Sequence, residues 1–252
     1  MPEKRIIQGA EPFYFPGSRI GCILTHGFTG TPKEMRWLGE FLSKQGYSVI
    51  APRLAGHATC HEDMARSNWQ DWQASIEDAY YFLKPNVDQI FLIGLSMGGL
   101  LSLIGASLFP VDGVITISTP FEMPINDWRL HIIRPLAVFN PRFNKGPGDW
   151  HNQEAAKDHI DYPYLPARSI AELKDLFEQL KIALPQVKCP ALVIQSTADH
   201  TVPASHLDQI INHIGSNDKT SFIVNNSGHV VIREPDRFVV FEKIKEFILQ
   251  HT

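Results

Sequence analysis

Short apolar, β-branched runs alternate with amphipathic stretches along most of this 252-residue chain. Residues 19–25, 47–51, 89–93, 111–118, 191–195 and 220–224 read as strands. Residues 31–45, 69–84, 97–108, 203–214 and 236–249 read as helices. Strands that are apolar almost throughout and separated by helices pair in parallel, because a parallel connection needs a long crossover. The predicted fold class is therefore α/β, a mostly parallel central sheet with helices on both faces. The rhythm breaks after Pro120 and returns near residue 188. The stretch between is rich in proline, tryptophan and tyrosine, with helix-like patterns only at 130–139 and 170–184. This reads as a core domain of residues 1–120 and 188–252, interrupted by an inserted cap, residues 121–187. A chain of this length can bury one such core.

Local signals support the helices. Thr31, Pro32 and Glu34 suggest an N-cap, a first-turn proline and a capping box, and Gly46 suits the C-terminal end. Residues 69–84 place Trp69, Trp72, Ile76, Ala79, Tyr80 and Leu83 at helical spacing before Pro85 stops the pattern.

The chemistry begins at Ser96. It lies in Gly94-Leu95-Ser96-Met97-Gly98, directly after an apolar strand and before a helix. A sharp turn there exposes a serine hydroxyl above the sheet edge. Sites on parallel sheets form beyond the C-terminal strand ends, so partners should follow strands. Asp199 follows the strand ending at Gln195, and His229 follows the strand ending near Val224. In this order Ser96 is the candidate nucleophile, His229 the base and Asp199 the acid that orients it. An oxyanion site needs two aimed N–H groups. The backbone of Met97 supplies one candidate, and Phe28, in the loop His26-Gly27-Phe28-Thr29-Gly30, supplies the other. Asp127 is a rival acid that follows no strand. His26 and His57 read as residues that hold their own loops. His57 and His61 lack the context of a metal site.

Composition excludes several classes. The net charge of −4 gives no footprint for nucleic acid or an anionic membrane. No apolar run approaches the roughly 18 residues of a membrane span. The N-terminal residues lack a signal-peptide core, so a cytoplasmic location is expected. Cys22, Cys60 and Cys189 have neither disulfide-framework nor metal spacing.

These segments together resemble the α/β-hydrolases over nearly the whole chain. More narrowly, they resemble the bacterial carboxylesterase and monoacylglycerol lipase group. The resemblance rests on residues 26–30, Arg53-Leu54-Ala55-Gly56-His57, residues 94–99, Asp199 with Val202-Pro203, and Ser227-Gly228-His229. It implies a cap over an acyl pocket, no cofactor, and hydrolysis of short- to medium-chain esters or monoacylglycerols. Phe28 is the aromatic expected beside such a small-molecule substrate. Phe121, Met123, Ile125, Trp128 and Phe139 would pack the cap or line the pocket. Two positions depart from the group: Ala58 and Ser196 stand where glycine is common. A thioesterase, a lactonase, a carbon–carbon bond hydrolase, an acyltransferase and a non-catalytic ligand receptor remain open readings of the same residues.

Overall fold

The computed structural model describes residues 5–123, 132–135, 142–146 and 148–252. In chain order the strands are β1 (Phe13–Phe15), β2 (Ile20–Thr25), β3 (Ser48–Ala51), β4 (Gln89–Leu95), β5 (Gly113–Ile117), β6 (Arg142–Asn144), β7 (Tyr164–Pro166), β8 (Ala191–Ser196) and β9 (Lys219–Val224). The helices are α1 (Arg36–Lys44), α2 (His61–Arg66), α3 (Trp69–Leu83), α4 (Met97–Leu108), α5 (Gln153–Lys157), α6 (Ala167–Ala183), α7 (Ser205–His213) and α8 (Arg237–Gln250). The central sheet has seven strands in the order β1-β3-β2-β4-β5-β8-β9. Every neighbouring pair is parallel except β1 with β3. This is the mostly parallel sheet of the expected α/β class. Strands β6 and β7 form a separate antiparallel hairpin.

The pleat divides the core into two layers. On β4, Phe91, Ile93 and Leu95 face one side and pack with Leu38 and Leu42 of α1 and Phe241, Ile244 and Phe247 of α8. Ile90 and Leu92 face the other side, with Trp72 and Ile76 of α3 and Leu100, Leu103 and Ile104 of α4. Helix α4 is buried on nearly every side, which explains why its sequence is apolar all round. The two edge strands are the more exposed ones, with Tyr14 of β1 and most of β9 open to solvent.

Two helix ends show how local signals were used. Asn68 accepts from the Asp71 N–H and the Asp71 carboxylate accepts from the Asn68 N–H, both at 2.9 Å, a complete capping box for α3. Helix α1 differs from expectation. Pro32–Met35 form a 3-10 turn before it, and no side chain caps that turn. Thr31 Oγ1 instead donates to Ile160 O, and Glu34 turns toward Gly27. Tertiary partners have displaced the local box. At the far end Gly46 takes φ 94°, and Tyr47 N–H and Gly46 N–H bond back to Leu42 O and Ser43 O, closing the helix as its sequence suggests.

The segment 121–187 is not of one kind. Leu176, Phe177 and Leu180 of α6 belong to the same core as α3 and α4, so this helix covers the sheet. The helix expected over 130–139 falls mostly outside the described residues, as do Asp127, Ile125, Trp128 and Phe139. Among the described residues, no helix is long and apolar enough to cross a membrane.

Candidate active site

The sheet order reverses between β2 and β4, so their C-terminal ends open a crevice. The register puts Thr25, the last residue of β2, beside Gly94. Beyond the strands the ladder continues into the loops. Ser96 N–H donates to Ile117 O, Ser118 N–H to Ile194 O and Thr197 N–H to Val224 O. One row of hydrogen bonds thus lines up the loops that carry the candidate residues.

Ser96 stands at φ 54° and ψ −121°, outside the regions a side-chain-bearing residue prefers. Such strain costs on the order of 1–3 kcal/mol and persists only where packing fixes it. Here β4 and α4 are both fully packed on either side. Gly94 lets them approach, since a Cβ there would overlap the Gly98 carbonyl, and Gly98 lets α4 meet the end of β2, since a Cβ there would overlap the carbonyl oxygens of Thr25 and His26.

Ser96, Asp199 and His229 come together. His229 Nε2 lies 2.9 Å from Ser96 Oγ, and His229 Nδ1 lies 2.9 Å from Asp199 Oδ2. With Asp199 ionised, Nδ1–H donates to it and Nε2 is left to accept the serine proton. The Asp199 side chain is fully buried. Its Oδ1 accepts from the N–H groups of Thr201 and Val202, and its Oδ2 also accepts from Gln195 Nε2. Burial pushes this carboxyl up, but the His229 ring and the backbone donors outweigh it and hold it below the usual carboxylate range. Ser196 has a job that glycine could not do: its Oγ donates to Ser227 O at 2.6 Å, tying the acid loop to the histidine loop.

Both candidate oxyanion donors are left without partners. Neither Phe28 nor Met97 uses its N–H in a hydrogen bond among the described residues. Gly27, next to Phe28, cannot serve, because its N–H is held by Glu34 Oε2 at 2.9 Å. A Cβ placed on Gly27 would lie 3.4 Å from Ser96 Cβ, which fixes how close the loop comes.

His26 and His57 are wholly buried. His26 Nδ1 donates to Gly27 O, and Nε2 accepts from Leu54 N–H at 3.2 Å. His57 Nδ1 bonds Ala55 O at 3.0 Å. Burial lowers both, His57 to about 4, so each is neutral. They hold adjoining loops and do not touch Ser96. Ala58 takes φ 56°, so the residue that stands where glycine is common keeps the glycine-like backbone. Among the described residues, no cluster of three or more histidine, cysteine or acidic groups is arranged to hold a metal ion. Gln195 and Glu34 escape sequence reading. The only signal for Gln195 is an amide near the end of an otherwise apolar strand, and Glu34 carries a competing capping signal.

The chain matches the family described as serine aminopeptidase S33 over residues 18–236. It belongs to this family of α/β-hydrolases. Among this S33 hydrolase's relatives is a thermostable monoacylglycerol lipase from a Bacillus species. The two are 37% identical over 98% of this chain and 97% of that protein. A carboxylesterase from Bacillus subtilis is 26% identical over 94% of this chain and 96% of its own. A solved structure described under LipS and LipT, two metagenome-derived lipolytic enzymes, superposes with a TM-score of 0.91 at 36% identity, covering 98% of this chain and all of that one. A monoacylglycerol lipase from Paleococcus ferrophilus shares the fold, with a TM-score of 0.83 at 19% identity over 96% of this chain and 98% of its own.

Proposed function

We propose that this protein is a serine carboxylic-ester hydrolase that acts through an acyl-enzyme on monoacylglycerols or short- to medium-chain esters. The continuous relay from Ser96 Oγ through His229 to Asp199, 2.9 Å at each step, carries the reading. Ser96 attacks the ester carbonyl while His229 takes its proton, and the tetrahedral oxyanion is held by the Phe28 and Met97 N–H groups. His229 then protonates the departing alcohol. Water, activated by the same imidazole, attacks the acyl-Ser96 and restores the hydroxyl. Asp199 keeps the ring in one tautomer and stabilises the imidazolium.

The acyl chain would lie on an apolar surface beside Phe28. The Phe28 ring meets Trp72 edge-on with centroids 6.0 Å apart, and with Met123 and Phe143 it packs on the cluster of Ile133 and Ile170. The part of 121–187 ahead of α6 would act as the cap over this surface. Names of the relatives support ester substrates, whereas the family's description suggests a peptidase, so both bonds should be assayed. Ser96→Ala should abolish hydrolysis of p-nitrophenyl esters and monoacylglycerols while the protein stays folded. Turnover of aminoacyl anilides with inert esters, or wild-type ester turnover by Ser96→Ala, would overturn the proposal.

A further inference from the structure

We infer that Glu34 is a positioning residue for the oxyanion loop, locked in place from the inserted segment by His159; this rests on the esterase reading above. The loop must present the Phe28 N–H to the reacting centre while the neighbouring Gly27 N–H is buried. A buried N–H needs an acceptor. Glu34 supplies it from seven residues along, and Gly30 leaves the space, since a Cβ there would overlap the Glu34 carboxylate. Glu34 acts through Gly27 and does not reach the substrate.

A carboxylate this deeply buried is costly without partners. Glu34 is only 5% exposed. His159 Nε2 stands between two acids, 3.5 Å from Glu34 Oε1 and 3.6 Å from Asp161 Oδ2. Asp161 pairs with Lys145, and Lys145 Nζ donates to Thr29 Oγ1 at 3.1 Å. The network therefore returns to the loop it began from. Three further contacts run alongside: Tyr162 N–H to Thr29 O, Thr31 Oγ1 to Ile160 O, and Lys33 to Asp158. Residues 158–162 lie along 29–34 as a strap. Thr29 itself sits at φ 61°, a conformation that needs such support. Positive charge from Lys33 and Lys145 also offsets the acids, which would otherwise oppose a developing oxyanion nearby.

The test compares wild type, Ser96→Ala, Glu34→Gln, Glu34→Ala and His159→Ala with p-nitrophenyl butyrate. A trifluoromethyl ketone, whose adduct with Ser96 places an oxyanion in the site, and its reduced alcohol serve as paired inhibitors. Misaiming one oxyanion donor should lower kcat of Glu34→Ala about 10- to 100-fold, below the cost of deleting a donor outright, with KM nearly unchanged. Ketone affinity should weaken by a similar factor and alcohol affinity should not. Glu34→Gln keeps an acceptor for Gly27 and should restore most of kcat, with His159→Ala between the two. Should Glu34→Ala fail to fold, Glu34→Met fills the space without accepting a hydrogen bond and carries the same expectation. Wild-type kcat and ketone affinity in the variant that lacks an acceptor would overturn this inference alone. Absence of Ser96-dependent turnover in the wild type would overturn the esterase reading with it.

Discussion

Acidification should weaken folding by about 2 kcal/mol between pH 7 and pH 5 through His57 alone. This ring has no exposed surface, its Nε2 lacks a partner among the described residues, and the Arg53 guanidinium adds positive charge nearby. Burial holds its pKa at about 4, against 6.5 for the free side chain. That gap, at about 1.4 kcal/mol per pH unit, caps the effect near 3.4 kcal/mol. The folded state binds the proton less readily than the unfolded chain. Stability is therefore complete above about pH 6.5 and is lost as pH falls toward 4. His26 acts in the same direction, since protonating Nε2 would strip Leu54 N–H of its acceptor. Glu234, raised by burial, acts in the opposite direction. Urea unfolding followed by tryptophan fluorescence at pH 7, 6 and 5 isolates His57 if His57→Gln is measured alongside. The variant should be less stable at neutral pH, and its deficit should shrink by about 2 kcal/mol at pH 5. A deficit that stays constant would mean that His57 is not held neutral by burial, and the argument would fail.

Two other perturbations probe separate links. Asp199→Asn removes the charge that fixes the His229 tautomer, and kcat should fall by about 10³- to 10⁴-fold with little change in KM, measured by steady-state ester hydrolysis. Asn68→Ala opens the capping box of α3 and should cost about 1 kcal/mol in urea unfolding while leaving kcat unchanged.

Signals that act over a few residues were readable in the chain. The strand–turn–helix at Ser96 needs small residues at fixed offsets and a turn of one shape, so Gly94 and Gly98 announce it. Asp199 and His229 follow because a parallel sheet gathers its loops at one end. The misses share a different cause. Strand β1 is three residues long and gains its order only by pairing with β3. The strands of the β6–β7 hairpin are equally brief, and α2 spans only six residues. Glu34 carried a sound capping signal, yet a buried N–H in another loop outbid the helix end for its carboxylate. Sequence spacing cannot rank a local acceptor against a distant one; burial decides between them.

The four donors around Asp199 fill the places where a proton could attach to it. Accepting one would mean breaking a contact inside a space closed to solvent. In the proposed cycle this side chain would therefore be a standing anion throughout, and the positive charge that comes and goes on its neighbour would always find the same counterweight. Under the proposed chemistry the site would be a fixed electrical frame in which a single proton travels between the serine, the imidazole and the departing group.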